Sequence, residues 1–302
     1  MKTIINSIIL IGSAIGMLSL RSSDNKSLKS EQKNLNENYA FIPSGESENA
    51  YKNNSIQSYI IAKKEVTNSE YRLFLLDLKK RGELIKLAIA TVDSSVWSNS
   101  KYKDFYHLHP AYSDYPVVNI TKEGAILYCE WLGKKVNQNL AQTSKLVFRL
   151  PTKGEWLKAA NGNLKFPVYA WGGPYLRNPK GTIMCNFLHL GPENIARNDH
   201  GTLFIKQDQF NYFDGDNSDL TAPVKSYAPS YFGLYNMNGN VAEMIDNEEV
   251  IMGGSWLDPG FDVRNESQRQ YTGADKTVGF RVVASLIPSE NKWLKTPKTK
   301  LI

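Results

Sequence analysis

The stretch "RLPTKGEWLKAA", Arg149–Ala160, is where the chain changes character. Thr152 and Glu155 stand three apart, the spacing of a capping box. In that motif the threonine oxygen accepts from the amide of the third helical residue, and the glutamate reaches back to the amide of the threonine. With Pro151 just outside, the spacing predicts a helix that starts after Thr152, fed by a short strand over Val147–Arg149. Beyond Ala160 the sequence is irregular and rich in Gly, Pro, Asn and Asp for about 120 residues. So long a loop-rich stretch is unusual in a compact domain, and bound ions or dense side-chain hydrogen bonds are needed to fix it.

Upstream, Thr67 and Glu70 form a second capping box and place Tyr71, Phe74, Leu75 and Leu78 on one helical face. A further helix starts at Thr121 and stripes Ile126, Leu127, Trp131 and Leu132. Short strands are expected over Ser58–Ala62 and Val278–Val283. With 302 residues, 41% of them hydrophobic, the chain can bury a sizeable core without disulfide staples. Its two cysteines lie in no metal spacing. Cys129, in "AILYCEWL", reads as a buried core thiol, and whether it pairs with Cys185 is open.

The formal charge of +6 is unevenly placed: +2 falls on residues 1–37 and +3 on residues 287–302, leaving about +1 on the body. That is not the footprint of a nucleic-acid binder, which concentrates basic charge on the folded body. Residues 1–20 read as a signal peptide or N-terminal anchor, because Lys2 precedes an uncharged apolar run from Ile4 to Leu20. No cysteine follows that run to carry a lipid. Residues 21–38 read as a polar linker, 39–286 as the folded domain and 287–302 as a basic tail. The expected location is outside the cytoplasm, in the periplasm or cell envelope, with membrane association through the N-terminus.

Two loops invite chemistry. In "IMGGSWLDPGFDV", Ile251–Val263, Gly253 and Gly254 stand beside Trp256 and run into an Asp-Pro-Gly turn. This is either a cramped corner or an active-site loop, and the residues at 258 and 263 decide. In "FDGDNSDLTAPV", Asp214, Asp216 and Ser218 alternate as in an EF-hand. That reading fails, since Asp219 stands where glycine is needed and Lys225 where a bidentate glutamate is needed.

Several segments, in this order, resemble the formylglycine-generating enzymes, or sulfatase-modifying factors: "FIPSG", "KKEVTNSEYRLF", "YPVVNIT", "RLPTKGEWLKAA", "YAWGG", "GLYNMNGNVAEM", "MGGSW" and "GFRVV". The resemblance implies an α+β fold that is C-type-lectin-like, loop-rich, low in regular structure and stabilised by calcium. It implies one calcium on the Asn186 and Asp216 side chains and the carbonyls of Phe187 and Ser218. A second would take the Asn236 and Glu243 side chains and the carbonyls of Gly239 and Val241. Oxygen donors of this kind suit calcium. The chain departs from the family's Trp-Glu-Trp, having Ala242-Glu243-Met244 instead. The stretch "DSSVWSNSKYKDF" with "HPAYSDYPVV" is similar to a narrower branch, the gliding-motility and type IX secretion lipoproteins of one bacterial phylum, which keep the fold without the oxidase function.

The family's enzymes oxidise a sulfatase cysteine with molecular oxygen at copper(I) held by two thiolates. Those two positions fall at Asp258 and Val263 here, in a loop that keeps Gly254, Ser255 and Trp256. Carboxylate and valine do not hold a soft ion, so copper is not expected. An iron branch uses three histidines of an added helical domain, for which there is no room. His107, His109, His189 and His200 therefore read as turn or surface residues, and Arg281 of "GFRVV" as part of a buried ion pair. The expectation is an exported non-catalytic protein that binds an envelope protein or polymer, as a component of a secretion or gliding machine. The alternatives are a divergent oxidase acting on sulfatase cysteines and a calcium-dependent glycan binder.

Overall fold

A computed structural model describes residues 33–49, 52–97, 105–138, 144–190, 195–205 and 220–288. The apolar N-terminus, the basic tail beyond Pro288, Asp216 and Ser218 lie outside the described residues.

Four strands form the main sheet: β1 (Tyr39–Ile42), β4 (Tyr59–Ala62), β5 (Ser144–Arg149) and β12 (Val283–Pro288). Their order is β1-β4-β12-β5, all antiparallel, with Val283 opposite both Ile61 and Arg149. The strand period of two separates the faces. Ala40, Ile42, Tyr59, Ile61 and Val283 pack with Trp156 and Leu157 of helix α4 (Lys153–Asn161). Ala62, Leu146, Phe148 and Ala284 pack on the other side against α1 (Asn68–Lys80) and α3 (Lys122–Asn137). Helix α2 (Leu84–Ala90), which the sequence reading does not anticipate, lies against α1 and α3. A hairpin of β2 (Gly45–Asn49) and β3 (Lys52–Ile56) precedes β4, and β6 (Ile195–Arg197) pairs with β7 (Leu203–Ile205). The loop-rich half adds a second four-stranded sheet of two- and three-residue strands: β8 (Ala242–Met244), β9 (Val250–Met252), β10 (Gln268–Gln270) and β11 (Val278–Gly279).

Both capping boxes form: Thr67 and Thr152 accept from the amides of Glu70 and Glu155, and both glutamates return the bond. Glu155 is also gripped by both guanidinium nitrogens of Arg149, at 2.7 and 2.6 Å. Tyr71, Phe74 and Leu78 are buried as expected, with Leu75 half-buried. On α3 the stripe is displaced. Its buried face is Ala125, Tyr128, Cys129 and Val136, while Leu127, Trp131 and Leu132 flank it and Ile126 is exposed. Small residues let α3 approach closely, and the large ones fill the margins. Both cysteines are free and buried. Burial pushes the Cys129 thiol far above its ordinary range.

The expected strand over Val278–Val283 divides into β11 and β12, and Arg281 stands in the gap. Residues 33–38, at the end of the expected linker, form a helical turn whose Leu35 is buried in the core. Among the described residues no helix is long and apolar enough to cross a membrane.

Candidate functional site

The loops of the C-terminal half are pinned by a buried polar network. Its centre is the turn Asn236-Met237-Asn238-Gly239-Asn240, in which Asn236, Gly239 and Asn240 take φ of 51°, 72° and 63°. Asparagine and glycine tolerate that left-handed region best. All three asparagines are buried, so each polar atom needs a partner.

Asn238 donates to the Val263 carbonyl at 2.8 Å and to Asn265 at 2.9 Å, and accepts from the Ala170 amide at 2.8 Å. Asn240 donates to Glu65 at 2.8 Å and accepts from the Ala222 amide at 2.7 Å. The main chain of the same turn holds the next loop: Gly239 N–H donates to Gly253 O at 2.8 Å and Trp256 N–H to Asn240 O at 3.0 Å.

Glu243, the expected calcium ligand, is 1% exposed and committed elsewhere. Arg281 reaches it with Nε at 3.0 and 3.1 Å and Nη2 at 2.7 Å, and Trp156 Nε1 donates to it at 2.7 Å. Arg281 is fully buried and also donates to the carbonyls of Ala62 and Tyr235, at 3.0 and 2.7 Å. The ion pair expected of Arg281 is thus present. A second carboxylate, Glu65, is fully buried beside it and takes hydrogen bonds from Asn236 and Asn240. Burial pushes the Glu65 carboxyl up to about 7, a rise that Arg281 opposes and Glu243 reinforces. Sequence reasoning assigns no role to Glu65, Asn238, Asn240 or Trp156. Their partners are distant in the chain, so no local pattern marks them.

Asn236 Oδ1 is buried without a hydrogen-bond partner. Asn236 and Ser230, whose Oγ is equally unpartnered, line a cavity of about 10 Å³. An orphaned hard oxygen suits a hard cation, so Asn236 could contribute to holding one; the small cavity is lined by neither Gly239 nor Val241, whose carbonyls the resemblance implies as its co-ligands. Glu243 could serve it only while also serving Arg281. Of the other expected set, Asn186 is buried and donates to Leu220 O at 2.8 Å, and the Phe187 ring stacks on His189.

The loop at 253–263 is a cramped corner. A Cβ on Gly253 would meet Met237 O at 2.7 Å and Trp156 at 2.9 Å; one on Gly254 would meet Asp262 O at 2.5 Å. Asp258 turns back on the corner, accepting from Ser255 N–H at 2.8 Å and Ser255 Oγ at 2.6 Å, with Arg269 at 3.8 Å. Val263 is fully buried against Tyr169 and Cys185. A cavity of about 210 Å³ beside the corner is lined by Gly254, Asp258, Asp262, Ser267 and Arg269 among others. Asp258, Asp262 and Arg269 put carboxylate and guanidinium on its wall, beside apolar lining from Ala242 and Ile251. Burial raises the Asp262 carboxyl, and Asp258 adds to that rise. This donor set does not fit copper(I). Among the described residues, no three of His, Cys, Asp or Glu gather as a metal site.

His109 and His200 lie at turns, as expected. His107 also lies in a turn, but buried rather than at the surface: it is 9% exposed, and Asn68, on α1, holds its Nδ1 at 3.0 Å.

Residues 25–286 match the sulfatase-modifying factor enzyme 1-like domain. The chain belongs to the sulfatase-modifying factor family. Among its relatives, the formylglycine-generating enzyme of Thermomonospora curvata is 32% identical over 130 residues, which are 43% of this chain and 32% of that protein. The inactive Cα-formylglycine-generating enzyme 2 of Bos taurus is 28% identical over 56% of this chain and 50% of its own. The match thus spans half or less of these curated relatives. The solved structure of CarF superposes with a TM-score of 0.51 at 19% identity, covering 81% of this chain and 97% of that one. The fold is therefore that of the formylglycine-generating enzymes, mixed helix and sheet with little regular structure. The motifs of this sulfatase-modifying-factor fold interlock: Trp156, Glu243, Gly253 and Arg281 come from four of them and meet in one place.

Proposed function

We propose that this sulfatase-modifying-factor-like chain is non-catalytic and acts by binding, as a structural component of an envelope assembly such as a secretion or gliding machine. The observation that carries the reading is the fate of the two positions where the family holds copper. Asp258 is spent on the Ser255 turn and Val263 on the core. Neither supplies sulfur to a soft metal. That one relative is named an inactive enzyme of this family is in keeping with it. Incubating the protein with copper(I), oxygen and a sulfatase-type cysteine peptide is expected to give no aldehyde by mass spectrometry. Turnover above a copper-only control would overturn the reading.

Export is part of the proposal and rests on Lys2 and the apolar run Ile4–Leu20. Cell fractionation should find the full-length chain in the periplasm or envelope, and a wholly cytosolic chain would refute this.

Calcium completes it, at the Asn236 turn and with the Asn186 set. The support is the unpartnered Asn236 Oδ1. A ligand bound only by the folded state at a hundred times its dissociation constant adds about 2.7 kcal/mol. The melting temperature should therefore rise with calcium and fall in chelator. Equal melting in both, with no metal found by elemental analysis, would exclude the ion.

A further inference from the structure

We propose that helix α2 rests its outward face on an anionic phospholipid surface, a contact separate from the apolar run at the N-terminus. At 3.6 residues per turn, Leu84, Ile85, Ala88 and Ile89 share one face of this seven-residue helix. All four are exposed, Leu84 by 67%, Ile85 by 81% and Ile89 by 42%. The opposite face is apolar too: Ala90 is buried and Leu87 packs on the core. A helix that is apolar all round belongs in a covered environment. Single apolar side chains are ordinary on a surface, but a whole helix face of them marks a contact.

The charge around that face indicates what covers it. Residues 79–90 carry Lys79, Lys80, Arg81 and Lys86 against Glu83 alone, four basic groups less one acidic, so +3. Lys86 borders the apolar face and pairs with Glu83 at 2.6 Å, and Arg81 pairs with Asp77 at 2.8 Å. Lys79 and Lys80 are exposed and pair with no carboxylate among the described residues. Lys134, in the last turn of α3, joins the group and is equally uncommitted. Its charge reaches Glu83: the Lys86 hydrogen bond first, then the charges of Lys86, Arg81 and Lys134, hold that carboxyl below the usual carboxylate range.

An aliphatic face beside a collar of uncommitted cations is complementary to acyl chains beneath a layer of phosphate. The lysine heads stay among the phosphates while Leu84, Ile85 and Ile89 enter the acyl boundary. Seven residues of helix are about 10 Å long against a bilayer core of roughly 30 Å, so α2 lies along the surface and does not cross it. A second copy docked through the same face would set +3 against +3. A protein partner fits less well. The face offers no aromatic ring and no hydrogen-bonding group, and protein interfaces anchor on both.

The test attaches an environment-sensitive fluorophore at Ala88→Cys in the full-length chain, whose own two cysteines are buried. Vesicles of phosphatidylglycerol and phosphatidylcholine should shift its emission to the blue and let lipid-borne spin labels quench it. A probe at His200→Cys, on the β6–β7 turn, should stay in water, which separates docking of this face from anchoring by the N-terminus. On pure phosphatidylcholine the probe at 88 should stay in water too. Lys79→Gln with Lys80→Gln should lower the ratio of docked to undocked probe about 25-fold, about fivefold for each cation. Ile85→Glu, at an exposed position, should abolish the shift and leave the melting curve unchanged. An unquenched probe at 88 on the anionic vesicles, equal docking on pure phosphatidylcholine, or unchanged docking by Ile85→Glu would overturn the proposal. So would a dimer that Ile85→Glu dissociates, since a second copy then covers the face.

Discussion

Replacing Arg281 by methionine is expected to destabilise the protein by about 3–5 kcal/mol, the cost of breaking a buried ion pair by removing one partner. The size comes from what is left behind. Arg281 and Glu243 are 0% and 1% exposed. Without the guanidinium, Glu243 keeps only the Trp156 N–H, and a second buried carboxylate, Glu65, stands in the same network. The carbonyls of Ala62 and Tyr235 also lose their donor. Removing both charges together, as Arg281→Met with Glu243→Gln, should recover part of the loss, because the orphaned carboxylate is then gone. Urea titration of the three variants measures this. A single-mutant loss below about 1 kcal/mol would mean that water reaches the pair and that the network is not dry.

Gly239→Ala should be as damaging, at about 3 kcal/mol or more, for a different reason. The added Cβ would lie 2.0 Å from the Asn186 carbonyl oxygen, a backbone atom with no rotamer to escape through. The left-handed φ of 72° alone costs an L-residue roughly 1–2 kcal/mol. Relief of the clash requires Asn186 to retreat from the 2.8 Å bond that its oxygen accepts from Asn240 N–H. An unmet buried group adds about 1–3 kcal/mol. By contrast Gly181→Ala, at a positive φ of 82° with no atom near the new Cβ, should show the backbone cost only. Equal effects at the two positions would show that the close approach at Gly239 carries no weight.

The parts of this molecule that could be read from sequence are those whose causes are local. Capping boxes at Thr67 and Thr152 depend on residues three apart, and both formed. The corner at Gly253 and Gly254 could be seen as cramped, and the loss of sulfur at 258 and 263 is a matter of residue type. Helix α2 has no side-chain cap, and its Leu84 and Ile85 are 67% and 81% exposed, so neither pattern nor end signal marks it. The buried face of α3 was hidden because its close contacts use Gly124, Ala125 and Gly133, and apolar counting favours the larger side chains beside them. His107 sits in a turn, and the asparagine that holds its ring is 39 positions away. The asparagines of the 236–240 turn likewise look like solvated turn residues until Glu65, more than 170 positions upstream, is folded against them.

The strand order of the main sheet fixes when that sheet can be completed. β12 is the last strand among the described residues, yet it lies between β4 and β5, and Arg281, just before it, ties to a carbonyl 219 positions earlier. A chain still emerging from the ribosome therefore holds β1, β4 and β5 without the strand that joins them, their edges open. Native contacts so distant in sequence make folding slow, and open strand edges invite aggregation while it waits. The main sheet is completed only after residue 288 has been made, and until then the edges of β4 and β5 that β12 covers stay open.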